Sequence, residues 1–271
     1  MRRAWFLASV AAVGAVAALL TPASAEEKAG WSTVKGQVVY PAAKAVPVRK
    51  KLDVTQDKAH CLAKGDILDE SLIVNPKNKG IKNVVVWLRP DNMNPKQSAF
   101  PKEQIDPADA QRKPATVTID QPSCMFVNRI TLARVGDTIT AKNSASVAHN
   151  FFWTSANNGE FNVTIPKESS WTLGGNGKAQ PLVAEASPIQ FKCTIHPWMA
   201  GYVRVFDHPY YAVTDEDGKF EIKNAPVGQF RMVVWQEKVG FLGGKDGRFG
   251  TPVTIAGATT EMKPIEFDIA P

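Results

Sequence analysis

The sequence predicts an all-β protein, and three observations carry that expectation. Prolines and glycines, 19 of each, punctuate short apolar runs about ten residues apart, the spacing of strands and turns. No long stretch sustains a helical period of apolar residues. Where a run is long enough to test, as in Lys219-Phe-Glu-Ile-Lys223 after the Asp217-Gly218 turn signal, apolar and charged residues alternate with the period of a strand.

Residues 1–25 read as an export signal. Arg2 and Arg3 supply the positive start, Trp5 to Leu20 the apolar core, and Ala23-Ser24-Ala25 the small-residue cleavage site. The expected mature chain is therefore exported, periplasmic in a bacterium, with no membrane span. Of the 32 basic side chains, Arg2 and Arg3 fall in the signal, which leaves 30 against 26 acidic ones. These charges are scattered, with no basic stripe interleaved with aromatics, so no nucleic-acid partner is expected.

Residues 31–89 begin with the alternating run Val34-Lys-Gly-Gln-Val-Val-Tyr40. They end with Lys82-Asn-Val-Val-Val-Trp-Leu88, nearly continuous in apolar residues and so expected to be a strand covered on both faces. The polar stretch between them, with Arg49, Lys50 and Lys51, reads as a solvated loop. Residues 90–114 hold five prolines and few large apolar side chains, and read as a linker.

The run Gly136-Asp-Thr-Ile-Thr-Ala-Lys-Asn-Ser-Ala145 predicts a turn and a strand leading to His149-Asn150. Further on, the alternating Ile189, Phe191 and Cys193 end in Cys193-Thr-Ile-His196-Pro-Trp-Met199. One thiol, two imidazoles and a thioether are the ligand set of a blue-copper site. Thiolate and thioether suit Cu(I) and imidazole tolerates Cu(II). The candidate metal ligands are His149, Cys193, His196 and Met199, with one type 1 copper as the cofactor.

The three cysteines bear on this, because an exported protein does not ordinarily leave one thiol over. Giving Cys193 to the metal leaves Cys61 and Cys124 for a disulfide, and the rival is a second metal site built on His60-Cys61.

Cys193-Thr-Ile-His-Pro-Trp-Met199 with His149-Asn150 resembles the copper loop and first ligand pair of cupredoxins of the amicyanin and plastocyanin type. The resemblance covers about residues 115–206 and implies a Greek-key sandwich that carries electrons. It also implies that the ring edge of His196 reaches the surface, where Pro197, Trp198 and Ala200 would form an apolar rim for a redox partner, a cytochrome or a dehydrogenase. Related two-part chains carry a Pro-His pair after the cysteine at the position of Cys124. Asn128-Arg129 stands here instead, so no role of that histidine is carried over.

Residues 207–271, with Thr214-Asp-x-x-Gly218-x-Phe220, resemble the carboxypeptidase regulatory-like, or transthyretin-like, β-sandwich. That family opens on Val-x-Gly-x-Val, found here far upstream as Val34-x-Gly36-x-Val38. The resemblance thus implies one discontinuous sandwich of 31–100 and 207–271, with the 115–206 domain inserted in it. The glycine-rich run 240–250 lacks the ending of a phosphate-binding loop and precedes a strand, so it reads as a mobile hairpin loop.

An electron carrier is the expected function. An oxidase or reductase needs a further open copper centre built from several histidines, and only His60 and His208 remain. No enzyme activity is therefore expected. A copper chaperone or storage protein would carry clustered methionines, whereas Met93, Met125, Met199, Met232 and Met262 are dispersed. A cell-envelope interaction protein that had kept the fold without its metal would not need the full ligand set.

Overall fold

The computed structural model describes residues 30–94, 98–174 and 179–270, so the expected signal at 1–25 lies outside the described residues. Strands dominate. The two α-helices, Lys58–Cys61 and Pro107–Ala110, are one turn each, and no helix among the described residues is long and apolar enough to cross a membrane.

Four main sheets stack with three apolar cores between them. In the first sheet, Trp31–Val39 pairs antiparallel with Lys219–Pro226 and parallel with Thr259–Glu261 and Ile265–Glu266. In the second, Val85–Pro90 lies between Tyr211–Val213 and Gly228–Gln236, and Gly228–Gln236 also pairs Thr251–Ile255. The third runs Ile130–Arg134, Ala200–Phe206, Ile189–Lys192, His149–Ser155, Gly159–Ile165. The fourth holds Ser169–Thr172, Thr138–Asn143 and Thr116–Asp120.

The side-chain period of two decides which core each residue joins. Val84, Val86 and Leu88 point into the first core with Val34, Val38, Phe220 and Ile222. Their neighbours Val85 and Trp87 point the other way, into a core shared with Val233, Trp235, Ile130 and Phe206. This two-sided burial is why the run 84–88 is continuously apolar. Phe220 and Ile222 are buried and Lys219, Glu221 and Lys223 exposed, as the alternation predicts. Gly218 permits the turn before them. Its φ is 72°, and a Cβ there would sit 2.4 Å from the Val38 carbonyl oxygen.

Between the third and fourth sheets lies an aromatic cluster, Phe126, Phe151, Trp153 and Phe191, with Ile119, Ile139 and Val203. Val54, Cys61 and Ile67 also pack there. The polar segment near residue 50, assigned above to the first sandwich, therefore delivers its few apolar side chains to the other core. Two further expectations are corrected. The 90–114 stretch is not a loosely packed linker, because Phe100 is buried against Tyr210, Phe230 and His208 at centroid distances of 4.9, 5.7 and 4.9 Å. The 240–250 run is a closed turn and not an open loop. It closes as the 3-10 turn Gly244–Phe249 with Phe249 buried, and a Cβ on Gly247 would collide with the Leu242 carbonyl oxygen at 1.9 Å.

Candidate metal centre

His149 opens the strand His149–Ser155, and its neighbour Asn150 ties that strand to the 193–199 turn. The Asn150 side-chain oxygen accepts the Thr194 N–H at 3.1 Å, and its amide donates to Asn162 Oδ1 and the Val163 carbonyl. The turn is closed by its own backbone. Cys193 N–H donates to Met199 O at 3.2 Å and Met199 N–H to His196 O at 2.9 Å. These bonds fix the cysteine, the second imidazole and the methionine on one short loop facing the first histidine.

The ligand atoms of His149, Cys193 and His196 lie within 4.8 Å of one another and could hold a metal ion. Nδ1 of His149 is 2.9 Å from Nδ1 of His196, and Cys193 Sγ is 3.7 Å from the latter. Exposure is 0% for both histidines, 1% for Cys193 and 2% for Met199, so the cluster is closed to water. The sulfur accepts the backbone N–H of Asn150 at 3.2 Å and of His196 at 3.4 Å. Burial, with His196 and His60 nearby, pushes the His149 imidazole down to about 4, so it is neutral and has a lone pair to give near pH 7. Its Nε2 is buried without a partner.

His196 is oriented by a residue that sequence reasoning read as solvated loop. Asp57 Oδ2 lies 2.9 Å from His196 Nε2. The carboxylate accepts the Nε2 proton, which leaves Nδ1 as the free lone pair facing Cys193 and His149. Asp57 is held in a left-handed conformation, φ 46°, at the start of the Lys58–Cys61 turn. Its carbonyl accepts the N–H of His60 and Cys61. Cys61 is bonded to Cys124, and Cys193 is the free cysteine. The same disulfide excludes the rival metal site on His60-Cys61. His60 instead shares a hydrogen bond with Ser146 at 3.0 Å.

The expectation of a surface-reaching His196 rimmed by Trp198 is thus corrected. The ring is wholly covered, and Trp198, half-buried, packs on the core with its indole N–H donating to the Cys124 carbonyl at 3.1 Å. Pro197 alone of that rim is exposed. Arg129 of the Asn128-Arg129 pair serves the interface between the halves. Arg129 makes a two-pronged ion pair with Glu237, at 2.5 and 2.6 Å, and donates to the Ala200 carbonyl beside Met199.

No family model and no curated protein matches the chain. Among solved structures it is similar to amicyanin. A reduced tryptophan-to-tyrosine mutant is 23% identical over 36% of this chain and 88% of its own, with a TM-score of 0.28. The Cu(I) form of a methionine-to-alanine mutant is 18% identical over 45% of this chain and 98% of its own, at the same TM-score.

Proposed function

We propose that the chain is a type 1 copper protein of the cupredoxin kind, an exported electron carrier and not an enzyme. The observation that carries this reading is the convergence of two imidazole nitrogens and a hydrogen-bonded cysteine sulfur in a fully buried cluster. His149 Nδ1, Cys193 Sγ and His196 Nδ1 would hold the ion, with the Met199 thioether as a weak fourth ligand. The bound ion supplies one-electron exchange between Cu(II) and Cu(I).

What the protein adds is rigidity. Asn150 pins the loop, Asp57 sets the His196 tautomer, and the aromatic core behind Cys193 keeps the donors from rearranging between oxidation states. Complete burial also favours a carrier over a chaperone, since a cargo site must open to hand its metal on. The first two sheets would form the transthyretin-like sandwich, with the copper domain inserted between its parts. The partner would be a redox protein of the same compartment. It would meet the copper domain beside Asp57 and Pro197, because the His196 edge is covered.

Mature protein loaded with Cu(II) should show the intense visible band of a short copper–thiolate bond. Cys193→Ser should abolish the colour, and Met199→Leu should mainly shift the potential. A colourless wild-type holoprotein would sink the proposal.

A further inference from the structure

A cavity of about 230 Å³ opens where the second and third sheets meet. Arg204 and Val205 line it, five and six residues beyond Met199 on an extended strand, so it lies roughly 17 Å from the candidate metal ligands. Interfaces between packed units are a common setting for small-molecule sites.

The walls of this cavity are rich in hydrogen-bond donors that the protein leaves unused. Arg204 is 8% exposed, with its guanidinium over the Trp87 and Phe206 rings at 5.3 and 4.6 Å. Its Nη1 donates to the Val205 carbonyl at 2.7 Å. Among the described residues its Nη2 has no partner, Nε is orphaned, and no carboxylate stands within ion-pair distance. Arg89, 6% exposed, spends both terminal nitrogens on the carbonyls of Arg248 and Asn94, which leave its charge uncompensated. Arg248 projects over Phe249 at the mouth.

His208 adds a donor of known orientation. Its Nδ1 accepts the Tyr210 N–H at 3.1 Å, so the neutral ring carries its proton on Nε2. Burial and the charges of Arg204 and Arg134 hold this imidazole well below its ordinary value and keep it neutral.

Two carboxylates share the cavity. Glu185 is engaged by Ser155, Asn157 and Asn158, and Asp207 faces solvent. They leave one positive charge over from the three arginines. Burial lowers the Arg204 guanidinium to about 10 despite both acids, so their field does not offset its desolvation. A buried cation without a paired anion is costly unless something supplies one.

We propose that this cavity binds a compact organic monocarboxylate, gripped by Arg204, Arg248 and the Nε2–H of His208, with its apolar part against Val205 and Phe249. A single negative charge matches the surplus. An apolar cavity of about 150 Å³ accommodates benzene, so this one has room for a ring and a carboxylate. The site does not depend on the copper reading, and ligand binding at the joint would bear on how the two halves hold together.

The test is NMR titration of metal-free and copper-loaded protein with benzoate, with benzamidine as the cation of the same shape, and with sulfate. Benzoate should give saturable shifts centred on the Trp87 indole and residues 184–186 and 204–205, benzamidine none, and sulfate roughly tenfold weaker binding. Arg248→Gln, at an exposed position, should weaken benzoate roughly tenfold through one lost charge-assisted bond. Arg204→Gln should abolish binding; if that variant fails to fold, Arg248→Gln decides. No saturable benzoate signal, equal binding of benzamidine, sulfate as tight as benzoate, or an unchanged affinity in Arg248→Gln would each overturn the site.

Discussion

Asp57 Oδ2 lies 2.9 Å from Nε2 of His196, a residue 139 positions away. The imidazole of the Cys193–Met199 loop is therefore held at both ends, by a carboxylate on Nε2 and by the donor cluster on Nδ1. Orienting partners of this kind typically matter roughly 10- to 100-fold in metal affinity. Asp57→Ala should weaken copper binding by that order in a chelator competition, while Asp57→Asn, which can still accept the Nε2 proton, should recover part of it. If both variants bind as tightly as wild type, the contact does not position the ring.

The disulfide anchors that contact. Cys61–Cys124 closes a loop of 63 residues, for which the chain-entropy account gives about 4 kcal/mol. Replacing both cysteines with serine should lower stability by up to about that amount in urea denaturation. It should also loosen Asp57, so copper affinity should fall with it. A variant that loses stability but keeps its full copper affinity would show that the helical turn at 58–61 alone seats Asp57.

How much of this was legible in the sequence differs by kind of signal. Cys193, His196 and Met199 are neighbours in the chain, and their three-residue spacing announces a shared turn. The alternation at 219–223 and the apolar continuity at 84–88 are equally local, so strand faces could be read directly. Asp57 could not be found this way. It sits in a polar segment without periodicity, and its role comes from a contact remote in sequence. The interface core was hidden for a related reason. Tyr202, Phe206 and Trp235 lie on strands whose other face already accounts for a core, and the run 84–88 announces that its own strand is covered on both faces without saying by what. Phe100 gives no signal of its own, because one aromatic among prolines carries no pattern, although its contacts with Phe230, Tyr210 and His208 make it a core residue.

The pH dependence of folding should carry the mark of His208. In the folded chain this ring is fully buried and neutral, its affinity for a proton lowered first by burial and then by Arg204 and Arg134. The aromatic rings of Phe100, Phe206, Tyr210 and Tyr211 pack around it and supply no anion. The unfolded ring takes up a proton below about 6.5. Unfolding then binds more protons than folding, so this contribution is intact above that value and is lost as pH falls. The loss grows as pH falls further below that value. His208→Asn, whose side-chain oxygen can still accept the Tyr210 N–H, should lack that share of the slope when urea denaturation at pH 7.5 and 5 is compared. An identical slope in variant and wild type would show that His208 takes up its proton in the folded state too.

The ion pair between Arg129 and Glu237 should be worth far more when broken than when replaced. The side chains are 12% and 4% exposed and join the turn before Ile130–Arg134 to the end of the Gly228–Gln236 strand, across the interface between the halves. Burial pushes the Glu237 carboxyl up, and the guanidinium only partly pulls it back. Removing the cation alone leaves a buried carboxylate without a partner. Arg129→Met should therefore cost about 3–5 kcal/mol near pH 7, and less in acid, where Glu237 can take a proton. Replacing both, as Arg129→Met with Glu237→Met, removes the desolvation of both charges and should recover most of that loss, to within about 1 kcal/mol of wild type. The Ala200 carbonyl also loses its Arg129 donor in both variants, next to Met199. A shift in copper potential that persists in the double variant would then report that hydrogen bond and not the ion pair. If the double variant is no more stable than Arg129→Met alone, the pair is not what makes the single replacement costly, and the guanidinium's packing against the loop is the term that holds the halves together.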